Sequence, residues 1–140
     1  MNEQQILVYV ASPLRAKTDI EELANMRLAG FYTEYVNDAL RHLDMNIKAV
    51  APHAHMPKIL QDRFPAQREL ALKFGRELLA MCSLLVLVTK NGISEGMKQE
   101  AEHAASLGIP VVKVDYANKK EGQKHILDSF NTAMSKRPKV

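Results

Sequence analysis

Two short runs constrain this chain most. Residues 5–11 read Gln-Ile-Leu-Val-Tyr-Val-Ala, and residues 84–89 read Leu-Leu-Val-Leu-Val-Thr. Both are rich in β-branched residues, and neither alternates apolar with polar. A strand of that kind is covered on both faces, which is the habit of parallel sheets rather than of half-solvated antiparallel ones. Shorter apolar runs at Ile47–Val50 and Ile109–Val114 read as two further strands.

The intervening segments are helical. Thr18 and Glu21 form a T-x-x-E capping box that opens a helix to about Leu43. A second helix runs from about Ala66 to Met81. A third spans about Ser94–Leu107, with Gly108 as its C-cap. The last covers about Lys120–Met134. Residues 51–65 hold Pro52, Pro57 and Pro65 and read as a long loop, and Asn91-Gly92 is a turn. Strands alternating with helices predict an α/β protein: a three-layer, doubly wound, flavodoxin- or Rossmann-like architecture. Its sheet is mainly parallel, with four or five strands and right-handed crossovers. The 140 residues suit one domain, 1–140, ending in a basic helix and tail from about 117.

Composition narrows the function classes. The N-terminus lacks the basic and apolar regions of a signal peptide, and no apolar run approaches the length of a membrane span, so a cytoplasmic protein is expected. Cys82 stands alone inside an apolar run, which reads as a small core residue. The net charge of +3 is concentrated at the end, where Lys119, Lys120, Lys124, Lys136, Arg137 and Lys139 face only Glu121 and Asp128. That is a solvated basic tail. With no Trp and no basic–aromatic repeat, there is no stacking platform for nucleic acid.

Helical wheels single out three polar residues. In the first helix Ala24, Leu28, Ala29, Phe31, Tyr32, Tyr35, Val36, Ala39 and Leu43 make a broad apolar arc that contains Asn25. In the second, the arc of Leu70, Ala71, Leu72, Phe74, Leu78, Leu79 and Cys82 contains Arg68. In the third, Met97, Ala101, Ala104, Ala105 and Leu107 enclose Glu100. Each polar residue lies in the first two turns of its helix, near the sheet edge where the strands end. Unpaired charge in a core is costly, so the three either build a polar pocket there or, for Arg68 and Glu100, pair with each other. Ser94 is a good N-cap, Gly96 lets backbone approach a ligand, and free amides at a helix start favour an anion. Arg15, after the first strand, can pair with a phosphate or carboxylate. His53 and His55 follow the second strand; their H-x-H spacing has no third ligand, so an acid/base or contact role suits them better than a metal. Neither metal nor cofactor is expected.

The segment Ser94-Glu95-Gly96-Met97-Lys98-Gln99-Glu100-Ala101-Glu102-His103-Ala104 resembles the S-x-G-x-x-x-E-x-x-x-A signature of nucleoside 2-deoxyribosyltransferase-like proteins, a superfamily that includes deoxynucleoside 5′-monophosphate N-glycosidases. Tyr9-Val10-Ala11-Ser12-Pro13-Leu14 resembles its first-strand motif. The pattern of Tyr9/Ser12/Pro13, Asn25, Ala51-Pro52-His53, either Gln67-Arg68 or Arg68-Glu69, and Ile93–Met97 is similar to that of a bacterial and phage branch, over about residues 5–114. The resemblance implies a carboxylate nucleophile at Glu100, ligand contacts from Tyr9 and the Ser94/Gly96 loop, and a dimer that completes the pocket. The wide apolar arc of the second helix, with Leu72 and Leu79, suits such a dimer face.

On this basis Glu100 attacks C1′ of a (deoxy)ribosyl unit and displaces the base, and water or a second base resolves the glycosyl ester. Tyr9 orients Glu100, while Arg15, Ser94 and the amides near Gly96 hold a 5′-phosphate. Ser12, Pro13, Asn25, His53, Arg68 and Met97 complete the expected ligand contacts. The chain departs from the family pattern in two respects. The enzymes carry an Asp on the second helix that helps protonate the leaving base, and here that region reads Lys73-Phe74-Gly75-Arg76-Glu77. Ser83 also replaces the Asp that opens their third strand. Glu77, His53 or His55 would have to serve as the acid. Otherwise the chain is a non-catalytic nucleotide-binding or sensing module on the same fold.

Overall fold

A computed structural model describes residues 5–13, 18–54, 60, 64–90, 92–115 and 119–136, without the side chain of His53. The elements follow in the order β1 (Ile6–Ala11), α1 (Asp19–Leu40), β2 (Ile47–Val50), a 3-10 turn (Pro52–Ala54), α2 (Pro65–Ala80), β3 (Leu84–Val88), α3 (Glu95–Ser106), β4 (Val111–Val114) and α4 (Lys119–Ser135). The four strands form one sheet in the order β2-β1-β3-β4. All pairings are parallel, with Ile6 beside Ile47, Val8 beside Leu84 and Leu85 beside Val111. The expected α/β, three-layer, doubly wound architecture is the one observed, with four strands.

The local signals act as their chemistry requires. The Thr18 hydroxyl accepts from the Glu21 amide at 3.1 Å and starts α1. Ser94 caps α3 by accepting from the Met97 amide at 3.2 Å, and Gly108 follows α3 with φ 74°. α1 stops at Leu40, and β4 begins at Val111 rather than Ile109. The reason at β4 is local: Gly108 and Ile109 bond back to Ala105 and Ala104 and close the helix, and Pro110 carries no N–H.

Two cores flank the sheet. Val8 and Val10 of β1 and Leu84, Val86 and Val88 of β3 face α1 and α4, meeting Ala29, Tyr32, Val36, Ile126 and Phe130. Tyr9, Ala11, Leu85 and Leu87 face α2 and α3, meeting Leu79, Cys82, Met97 and Ala104. The strand period of two thus sends Tyr9 and Val10 into different layers. Edge strand β2 is blunted: the Ala49 amide donates to Asn37 Oδ1 at 2.9 Å, which removes one open ladder position.

The helical wheels need correction on their width. Leu28 and Phe31 of α1, Leu70 and Phe74 of α2, and Leu107 after α3 are all exposed, as are Ala24 and Ala105. A helix against a sheet buries a stripe, and these residues fall outside it. In α2 the buried stripe runs Arg68, Leu72, Gly75, Leu79, of which Leu79 is fully enclosed and the others partly. Leu79 is therefore core and cannot serve as a dimer face. Among the described residues, no helix is long and apolar enough to cross a membrane.

One close approach ties α4 to α1. The Tyr35 hydroxyl donates to the Lys119 carbonyl at 3.0 Å, and Gln123 Nε2 donates to the Tyr35 carbonyl at 3.2 Å. A Cβ on Gly122 would overlap the Tyr35 hydroxyl and lie 3.2 Å from Val114 Cγ1. Gly122→Ala is expected to destabilise the fold by about 1–3 kcal/mol despite alanine's better helix propensity, because overpacking displaces a hydrogen-bonded side chain. Urea melts check this. An unchanged midpoint would show that the Tyr35 contact is not fixed.

Candidate functional site

The strand order places a switch point between β1 and β3. From β1 the chain crosses to β2 through α1, on one face; it returns to β3 through α2, on the other. The strand C-termini and the helix N-termini therefore share the edge beyond Ala11 and Val88, the edge at which doubly wound sheets bind ligands.

Glu100 lies on α3 between two fully buried residues of the same stripe, Met97 and Ala104, and is itself half-buried. Tyr9 rises from the centre of β1 into the same layer and is 1% exposed. Its hydroxyl hydrogen-bonds the Glu100 carboxylate. Burial raises the Tyr9 pKa well above 10, and the neighbouring Glu100 charge, its hydrogen bond and Cys82 push it in the same direction. Tyr9 is thus a neutral donor beside Glu100.

The remaining predicted residues distribute unevenly. Ser12, directly after β1, is 1% exposed, and Pro13 is half-buried. Ser94 sits at the start of α3 with its oxygen accepting from Met97, which leaves its own proton to donate. Gly96 is the second residue of α3, and a Cβ there would meet only Ser94 Oγ, at 3.9 Å. Among the described residues, nothing demands a glycine at that point. Met97 is a core residue: its side chain is fully buried beside Tyr9, and its amide is taken by Ser94. Arg68 is half-buried in the first turn of α2. Asn25 is half-buried on α1, which packs on the opposite face of the sheet. Any meeting of Asn25 with Glu100 has to occur over the strand ends. Arg15, His55 and the side chain of His53 lie outside the described residues. Glu77 is exposed on α2.

Sequence reasoning missed two neighbours of Tyr9. One is Gly75 of α2, whose Cβ would stand 3.3 Å from the Tyr9 hydroxyl oxygen. A glycine in mid-helix was the available signal. The other is Cys82, which donates to the Leu78 carbonyl at 3.3 Å and whose thiol burial pushes up from 9.0 to about 12. Among the described residues, no group of His, Cys, Asp or Glu could hold a metal ion.

These two raised groups give the fold an alkaline limit. Unfolded, the thiol titrates near 9 and the phenol near 10; folded, both keep their protons longer. Above pH 9 the unfolded state therefore binds fewer protons, and stability falls as pH rises. The Cys82 share is lost between about pH 9 and 12, and the Tyr9 share from about 10 upward. Each group contributes at most about 1.4 kcal/mol per pH unit. Urea midpoints measured from pH 8 to 10.5 should fall, and less steeply in Cys82→Ala. Equal slopes would remove Cys82 from the account.

Residues 6–114 match the model of a family described as a domain of unknown function, DUF7768. No curated protein matches the chain, and no solved structure matches it. The match runs from the first residue of β1 to the last of β4 and takes in Tyr9, Gly75, Ser94 and Glu100. The chain belongs to the DUF7768 family.

Proposed function

We propose that this protein cleaves or transfers the N-glycosidic bond of a nucleoside or nucleotide, with Glu100 as nucleophile and Tyr9 as the group that holds it. The observation that carries the reading is the Tyr9–Glu100 hydrogen bond in the layer between the sheet and α3. A buried neutral phenol fixes the carboxylate without neutralising it, which leaves an oriented anion to attack C1′. The start of α3, with Ser94 and the amides near Gly96, is the place for a 5′-phosphate. The resemblance around Ser94–Ala104 supports the same assignment.

A second reading keeps the ligand and drops the chemistry. The α2 stripe that faces Tyr9 presents Gly75 where the related enzymes are expected to present an acid, and Glu77 points to solvent. On that observation the protein is a nucleotide-binding or sensing module. A panel of nucleosides and nucleoside monophosphates separates the two. The enzyme releases free base, and Glu100→Gln lowers turnover at least about 10³-fold while leaving ligand affinity nearly unchanged, since the lost interaction belongs to the transition state. The binding module releases none, yet a ligand at 100 times its Kd stabilises it by about 2.7 kcal/mol. Neither release nor stabilisation across the panel sinks both readings.

We further propose a homodimer, in the cytoplasm, built on the outer face of α2. Leu70, Phe74 and Met81 are 55%, 48% and 66% exposed on that face. Lys73 and Glu77 flank Phe74 one helical turn apart. Antiparallel two-fold packing of α2, with the axis level with Gly75, sets Lys73 toward the partner's Glu77 and Leu70 near the partner's Met81, which is the self-complementarity a two-fold interface needs. Light scattering at micromolar concentration should report a dimer, and Phe74→Glu a monomer. A wild-type monomer ends this assignment.

A further inference from the structure

Gly75 is the eleventh residue of the sixteen in α2, deep inside a regular helix. Its backbone is helical and does not need the left-handed region that Gly92 and Gly108 occupy. After proline, glycine is the poorest helix former, so a glycine at this depth calls for a steric reason. Among the described residues, the neighbour that a Cβ would meet within 4 Å is the Tyr9 hydroxyl oxygen, at 3.3 Å. Gly30, in α1, has no such neighbour. The Tyr9 hydroxyl therefore lies between bare α2 backbone on one side and the Glu100 carboxylate of α3 on the other.

From this we infer that Gly75 is a positioning residue for the Tyr9–Glu100 pair. Its missing side chain leaves the gap through which the phenol reaches between α2 and α3 to the carboxylate. A methyl group at 3.3 Å requires its neighbour to yield by a few tenths of an ångström. The Tyr9 backbone cannot supply that movement, because β1 is paired on both sides and Tyr9 itself stands opposite Val50 and Leu85. The movement falls to the hydroxyl at the end of the side chain or to α2, and either one alters the alignment on which a hydrogen bond depends steeply. The placement stands on the close approach of Gly75 to the Tyr9 hydroxyl and on the Tyr9–Glu100 hydrogen bond; its consequence for turnover rests on the reading of Glu100 as nucleophile.

The test uses the full chain with tyrosine labelled by 13C at Cζ, a nucleus that senses hydrogen bonding of the phenol. The Tyr9 signal is assigned by its loss in Tyr9→Phe. Glu100→Gln and Gly75→Ala should each move that signal, and Glu100→Gln added to Gly75→Ala should move it little further. A Tyr9 signal that is unchanged in Gly75→Ala and still responds to Glu100→Gln overturns the proposal. Melting temperatures give a second reading. In Tyr9→Phe, which lacks the hydroxyl, Gly75→Ala should raise the melting temperature through helix propensity alone; in the wild type the rise should shrink or reverse. Equal rises in both backgrounds count against the proposal. Where wild type releases base, Gly75→Ala should lower kcat about ten- to a hundred-fold with KM nearly unchanged, since the change misplaces the nucleophile rather than the ligand. If wild type releases none, the catalytic reading fails, while the labelled-tyrosine and melting results still decide the role of Gly75.

Discussion

The parallel pairing of β1 with β3 is the constraint on which the rest of the molecule hangs. Both strands lie inside the sheet, and every residue of β3 is buried. A parallel pair covered on both faces needs a helix layer on each, and four helices divided two and two supply them. Because strand residues alternate, one layer receives Val8 and Val10 and the other receives Tyr9 and Ala11. Tyr9 brings a hydroxyl into an otherwise apolar layer. A buried hydroxyl without a partner costs free energy, so the same pairing that buries Tyr9 also demands an acceptor nearby. Glu100 is that acceptor. The candidate site is thus a consequence of how the central strand is covered.

Much of this was legible in the order of residues. The alternation of apolar runs and capped helices determines the topology class, and the caps at Thr18 and Ser94 form as their side chains predict. Glu100 is legible because a charge between Met97 and Ala104 contradicts the period of its own helix. The widths of the apolar arcs were not legible. A wheel counts apolar residues around a helix, but it cannot tell which of them meets the sheet. In α2 the wheel merged two faces, the inward Leu72–Leu79 stripe and the outward Leu70–Phe74–Met81 stripe. It was the glycine, carrying no hydrophobicity at all, that marked the inward face. Asn25 shows the same limit at the level of topology: three helices can each turn a polar residue inward and still place one of them on the other side of the sheet.

The chemistry of the pair follows from its surroundings. Tyr9 is kept protonated by burial first and by the Glu100 charge second, so it stays a donor across the neutral range. A donor of that kind orients a carboxylate and spreads some of its charge, but does not discharge it as a lysine or arginine at the same place would. It is therefore suited to hold a nucleophile. As a source of protons for a leaving group it is poor, because the same raised pKa makes the phenol reluctant to give its proton up. The residue that protonates a departing base, if there is one, has to come from elsewhere.

α2 is where these considerations meet. Among its sixteen residues only Leu79 is fully buried, its N-terminus at Phe64 has no side-chain cap, and its outer face is apolar. α1, by contrast, buries six residues and is capped by Thr18. A helix held by so little takes its seat from the few contacts it has, and one of those is Gly75 against the Tyr9 hydroxyl. The position of the phenol is then set jointly by a rigid strand below and a lightly anchored helix above. Under the proposed dimer, cover over Leu70, Phe74 and Met81 would add to the burial that holds α2 down, and through Gly75 it would bear on the Tyr9 hydroxyl. The proposed assembly and the geometry of the Tyr9–Glu100 pair would in this way be properties of one helix, seen from its two faces.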